Sequence, residues 1–260
     1  MKMLFDSHMH CDYSTDSSMN ISEAIRAARK ANVGMIVTEH WDYDYPTNPY
    51  AFLFDVDDYF KQFNVYRSES VLLGVEVGMQ KHTVSKDEAL IKAHPFDCVI
   101  CSMHCVNGRD LYEPNSYKEL TKAEALKEFL EDSIANVRLY NDFDIFGHID
   151  YISRYMPYED QELYYEEFPS LWDELFKLLI DGGKVLEINT RRLDSLKAIE
   201  TLEVLYQRYH ELGGRYISLG SDAHYKEHVG RRMTVAKKMA DNARLVPVYF
   251  QNRKMKIMEE

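Results

Sequence analysis

The sequence predicts an α/β protein built as a β/α barrel, and three observations carry that expectation. Short apolar runs alternate with segments of helical period, six of the ten histidines stand at the trailing ends of those runs, and acidic side chains join them at two ends. In a β/α barrel the C-terminal strand ends converge on one face, where the connecting loops build the active site. Scattered positions in the chain thereby become neighbours.

Seven strands are expected, in order. Met3 to Phe5 leads into Asp6-Ser7-His8-Met9-His10, Val33 to Val37 into Glu39-His40, and Val71 to Leu73 into Glu76. Cys98 to Cys101 leads into His104, Asp144 to Phe146 into His148 and Asp150, Lys184 to Ile188 into Asn189, and Tyr216 to Leu219 into Asp222 and His224. Between them, Asn20-Ile-Ser22 opens a helix through Ile25, Ala28 and Arg29 that Asn32 and Gly34 stop. Thr121-x-x-Glu124 has the form of a capping box and precedes an apolar stripe of Leu126, Phe129, Leu130, Ile134 and Val137. Leu171, Leu175, Leu178 and Leu179 form another stripe before Gly182-Gly183, and Leu196 to Leu212 another before Gly213-Gly214. This alternation implies parallel βα units. Two connections, 42–58 and 155–169, are long and rich in aromatic and acidic residues, and are candidate lids.

The 260 residues suit one barrel domain spanning 1–260, with 45% hydrophobic and 28% charged residues. A formal net charge of -12 argues against nonspecific binding to nucleic acid or anionic membranes. No apolar run approaches a membrane span and no signal-like segment opens the chain, so a cytoplasmic location is expected. Cys11, Cys98, Cys101 and Cys105 are too few and too clustered for a disulfide framework, and the Cys98/Cys101 pair reads as buried packing on a strand. The oligomeric state is not legible.

His8-x-His10 places two imidazoles on one side of a strand, and Asp222-Ala-His224 repeats the spacing. Neutral imidazole with carboxylate suits Zn, Mn or Fe. The succession Asp-Ser-His-Met-His, Asp16, Glu39-His40, Gly-Val-Glu76, Ser-Met-His104, Gly-His148-Ile-Asp150 and Ser-Asp222-Ala-His224 resembles the polymerase and histidinol phosphatase (PHP) family, from residue 6 to residue 224. Its stand-alone histidinol-phosphate phosphatases are the most similar members. The resemblance implies a distorted (β/α)7 TIM-like barrel holding three divalent ions. His8, His10, Glu76 and Asp222 would hold the first, Glu76, His104 and His148 the second, and Asp16, His40 and His224 the third. Asp16 stands where relatives often have histidine.

The implied reaction is hydrolysis of a small phosphomonoester, L-histidinol phosphate, to histidinol and phosphate in histidine biosynthesis. Two ions would lower the pKa of a shared water for in-line attack on phosphorus and clamp the phosphoryl oxygens. His40 or Asp222 would assist as acid or base. Arg154 and Arg191, in loops of the active face, are candidate phosphate contacts and electrostatic stabilisers of the reacting group. Arg192, Asn189 and His228, with Arg231 and Arg232, are candidates for the same rim. Asp42, Tyr43 and Asp44 are candidates for the substrate's ammonium and imidazole, and Asp150 for orienting His148. Ser102 and Tyr117 could supply polar contacts. His82, His94 and His210 lack partner motifs and read as structural. Alternatives are a PHP phosphoesterase for a phosphotyrosine peptide or nucleotide, a catalytically silent metal-binding module, and an amidohydrolase, whose eight strands and different ligand set fit less well.

Overall fold

The computed structural model describes residues 3–258. In chain order its elements are β1 (Leu4–Asp6), α1 (Ile21–Ala31), β2 (Val33–Trp41), α2 (Val56–Phe63), β3 (Val71–Gly78), α3 (Val84–Ala93), β4 (Val99–Ser102), β5 (Cys105–Val106) and β6 (Arg109–Asp110). They continue with α4 (Lys122–Leu139), β7 (Ile145–Phe146), α5 (Pro169–Asp181), β8 (Val185–Asn189), α6 (Leu196–Glu211), β9 (Tyr216–Gly220), α7 (Met233–Asn242), β10 (Val246–Gln251) and β11 (Lys254–Ile257). Asn20 and Thr121 both form complete capping boxes, with Glu23 and Glu124. Asn32, rather than Gly34, ends α1: it adopts φ 55°, a left-handed conformation that asparagine tolerates, and Gly34 is already in β2.

The strands β1-β2-β3-β4-β7-β8-β9 pair in parallel in that order. The ring then closes on itself: Ser7 N donates to Leu219 O at 2.9 Å, Asp222 N to His8 O at 2.8 Å, and His10 N to Ala223 O at 2.9 Å. Asp6, fully buried, reinforces the seam by accepting from Ser221 N, Ser221 Oγ and Gly230 N at 2.6–2.8 Å. Burial pushes its pKa up to about 6 against these bonds.

The two last strands were not expected from the sequence. β10 pairs parallel with the opening residues of β9, and β11 pairs antiparallel with β10. Tyr249 of β10 stacks on Phe5 of β1 at 3.8 Å, so the hairpin fills the gap between β1 and β9 below the seam. Its turn, Asn252-Arg253, has φ 52° and 59°, the pair of positive values a tight two-residue hairpin needs. Three helices also lay outside the sequence expectation: α2, which begins inside the 42–58 connection, α3 and α7.

Candidate metal centre

The core places the site by strand parity. On β3, Glu76 is flanked two residues away by Gly74 and Gly78, and all three face the barrel interior. A Cβ at Gly78 would collide with the Asp42 carboxylate, and one at Gly220 with Glu187 and His8, so glycine is required where these acids crowd against the strands. The floor of the resulting cup is buried, with His8, His10 and Glu76 at 0% exposure.

All nine residues expected as metal ligands meet here. Glu76 Oε2 lies 3.2 Å from His8 Nε2 and 3.4 Å from His10 Nε2, while its Oε1 lies 3.3 Å from His104 Nε2 and 2.8 Å from His148 Nε2. One carboxylate thus presents its two oxygens to different sets of imidazoles. Asp222 Oδ1 stands 3.4 Å from His10 Nε2 and 3.9 Å from His8 Nε2. Asp16 Oδ2 is 3.1 Å from His224 Nε2 and 3.5 Å from His40 Nε2, and the His40 ring turns its Nδ1 to Glu76 Oε2 at 3.0 Å.

These separations suit cations. Ligand atoms at about 2.0–2.1 Å around a tetrahedral ion lie roughly 3.3 Å from one another. The Nε2 atoms of His8, His10 and His104 and Glu76 Oε2 are buried with no hydrogen-bond partner, a costly arrangement unless a cation satisfies them. Among the described residues four groups of potential ligand atoms are close enough to hold an ion: His8/His10/Glu76, Glu76/His104/His148, His10/His40/His224 and His40/Asp42/His104.

A further ring of buried groups aims the imidazoles. His8 Nδ1 donates to Glu187 Oε1 at 2.8 Å, and Glu187 Oε2 also accepts from His148 N at 2.7 Å. His104 Nδ1 donates to Asp42 Oδ1 at 2.6 Å. Ser14 Oγ donates to Glu39 at 2.6 Å, so His10 Nδ1, 3.1 Å away, donates to Ser14. Each bond leaves Nε2 free to bind a cation. Sequence reasoning missed Glu187 and the role of Glu39. The signal was present: β8 and β2 are buried parallel strands, which normally read as continuous apolar runs, yet each carries a glutamate.

Electrostatics follow from burial and proximity. Burial disfavours ionised Glu76, but His8, His104 and His40 hold its pKa well below the usual carboxylate range. Asp222 is likewise held low against burial by Arg154, His10, His8 and His224. Burial depresses His10, helped by His40 and His224, whereas Asp42 and Glu76 overcome burial to raise His104 to about 10.

A cavity of about 530 Å³ opens over the cup, with Arg154, Arg191, His40, His104, His148, Asp222 and His224 in its wall. Arg154 Nη1 donates to Asp222 Oδ2 at 2.6 Å, and its buried Nε and Nη2 have no partner. Arg191 Nη1 donates to the Asp222 carbonyl at 3.2 Å.

Other expected contacts lie elsewhere. Arg192 turns to Glu162 at 2.9 Å, Asn189 bonds Glu187 and Arg191 N, and His228 is outside the cavity lining. Asp42 is held by His104, Asp44 pairs with exposed His82, and Tyr43 lies under Lys86, so none of the three lines the cavity. No hydrogen bond joins Asp150 to His148, whose Nδ1 is unpartnered. Ser102 Oγ donates to Glu76 at 2.6 Å, and Tyr117 OH donates to the Leu111 carbonyl. His94 and His210 bond nearby carbonyls, and all four cysteines are free and buried. The 42–58 connection brings Tyr45 and Phe52 to the cavity, but from 155–169 only Tyr155 reaches it. Asp160 instead pairs with Lys122 and Lys197.

A closed β/α barrel whose strand ends gather imidazoles around a shared carboxylate defines a metal-dependent hydrolase. The chain belongs to the PHP family, whose domain matches residues 6–191. It is 46% identical over 254 residues to a probable histidinol-phosphatase of Clostridium acetobutylicum, covering 98% of this chain and 99% of the relative. A histidinol-phosphatase of Lactococcus lactis is 31% identical over 86% of this chain and 85% of its own. The crystal structure of histidinol phosphate phosphatase from Lactococcus lactis, complexed with zinc, L-histidinol and phosphate, superposes with a TM-score of 0.92. That match has 28% identity over 97% of this chain and 98% of that one. Among the described residues no helix is long and apolar enough to cross a membrane.

Proposed function

We propose that residues 1–260 form one PHP hydrolase unit that cleaves L-histidinol phosphate to L-histidinol and inorganic phosphate in histidine biosynthesis. The observation that carries this reading is Glu76, whose two oxygens face separate sets of imidazoles beneath a cavity walled by two arginines. The curated relatives support the substrate.

His8, His10, Glu76 and Asp222 would hold one ion, Glu76, His104 and His148 a second, and Asp16, His40 and His224 a third, of zinc, manganese or iron. When bound, such ions supply Lewis acidity that lowers the pKa of water and neutralises phosphoryl charge. The chain's own groups do the rest. Arg154, anchored on Asp222 Oδ2, brings its guanidinium to the cavity wall for phosphoryl oxygens, and Arg191 adds a second. Because both are fixed before substrate arrives, little reorganisation accompanies charge development. His40 and Asp222 line the cavity beside the arginines, and one or the other would assist as acid or base toward water and the leaving alkoxide. The walls of Tyr45, Phe52 and Tyr151 exclude bulk water.

Steady-state turnover across a panel of phosphomonoesters, with metal content measured in parallel, tests the proposal. Histidinol phosphate should lead the panel in kcat/KM, and Glu76→Gln should lose activity and bound metal together. A flat substrate profile rejects the substrate, and a fully active Glu76→Gln rejects the mechanism.

A further inference from the structure

We propose that Asp110 sets specificity by receiving the ammonium group of the substrate, an inference that rests on the proposed histidinol phosphate hydrolysis. Asp110 ends β6 of the small hairpin after His104 and lines the cavity at only 5% exposure. Its Oδ1 accepts from Tyr112 N at 2.8 Å, and the buried Tyr45 phenol stands against the carboxylate. Among the described residues no lysine, arginine or histidine nitrogen comes within ion-pair distance of it. The adjacent Arg109 is turned away, onto Glu128 and the Ser116 carbonyl.

A carboxylate so buried without a counter-charge is costly, and truncating either side of such a pair is costly too. The cavity that Asp110 lines is where a cation can reach it. The other acids of the wall are differently placed. Asp16 Oδ2 faces His40 and His224, and Asp222 is bound by Arg154, while Glu113 is partly exposed, where water screens its charge. The cavity is therefore bipolar: guanidiniums and the metal cup draw the phosphoryl group, and Asp110 draws a cation. The rings of Tyr45, Tyr112 and Tyr155, also in the wall, suit a cation or a flat heterocycle. An amino-substituted phosphate ester carries both charges.

The test compares two substrates on three enzymes. Wild type and Asp110→Asn are assayed with histidinol phosphate and with its deamino analogue, 3-(imidazol-4-yl)propyl phosphate, and Asp110→Ser is measured alongside. Wild type should prefer histidinol phosphate. In the Asn variant kcat/KM for that substrate should fall on the order of 100-fold, through KM, while turnover of the deamino ester is retained. The ester reports folding in the same preparation. If either variant that still cleaves the ester keeps the wild-type preference, Asp110 is not the determinant. If wild type itself shows no preference for histidinol phosphate over other esters, the underlying function is wrong instead.

Discussion

Glu187 shows how a single side chain governs a site it does not enter. It is fully buried on β8, holds the His8 ring through Nδ1 and caps the backbone of His148, so two imidazoles belonging to different expected ions depend on one carboxylate. Glu187→Gln keeps the shape but lets an amide face one of these donors. Metal affinity is expected to drop about 10–100-fold, read by competition with a chromogenic chelator. A value equal to wild type would make Glu187 a packing residue. Asp87 illustrates a charge outside the cup. Thr83, Tyr140 and Trp41 all donate to it, yet burial raises its pKa to about 6. A folded-state pKa above the unfolded value of about 4 stabilises the fold fully below that unfolded value and ceases to do so as pH climbs through 6. Asp87→Asn should therefore gain stability relative to wild type between pH 4 and pH 6.5, measured as the difference in Tm. An unchanged difference across that range would contradict the assignment.

The elements that the sequence made legible were those with a local signature. The α1 and α4 capping boxes and the six strand-end histidines each follow from a spacing. The β10–β11 hairpin was missed because its strands earn their place by a long-range role, filling the space beside Phe5, and because Asn-Arg is an unusual pair for a tight turn. Arg253 compensates: it reaches Asp144 at 2.6 Å and Asp142 at 2.9 Å, while Asn252 N donates to Asp97. Asp144, which also accepts from Val99 N, is buried. Arg253→Ala should lower stability by about 1–2 kcal/mol in denaturant unfolding, discounted for the partial exposure of the arginine. Arg253→Gly should recover part of the loss, because glycine adopts φ 59° without strain. Histidinol phosphate turnover should survive both changes, since the turn lies beyond the starts of the strands. Similar losses in Ala and Gly variants would show that backbone conformation contributes nothing.

At the scale of the molecule, the seven-stranded ring and the gathering of the nine expected side chains were readable because imidazoles at successive strand ends are improbable without a shared centre. The cavity wall was not readable. Its residues arrive from loops whose paths depend on packing, so Asp42 points at His104 while Asp110, on a two-residue strand, faces the cavity. The cup also ties stability to metal. Several unpaired buried nitrogens and oxygens lie within it, so chelation should lower Tm by several degrees, and zinc or manganese should restore it in proportion to ln(1 + [L]/Kd). Scanning calorimetry of metal-stripped and reloaded protein measures this. Equal melting temperatures would mean that the centre forms without help from ions.

The seam between β1 and β9 joins residues more than two hundred positions apart, and it does so through the very segments that carry His8, His10 and Asp222. A ribosome-bound chain short of residue 224 has no complete cup whatever its earlier strands have done. The proposed centre therefore cannot assemble until the seventh barrel strand has been made and has closed the ring onto the first.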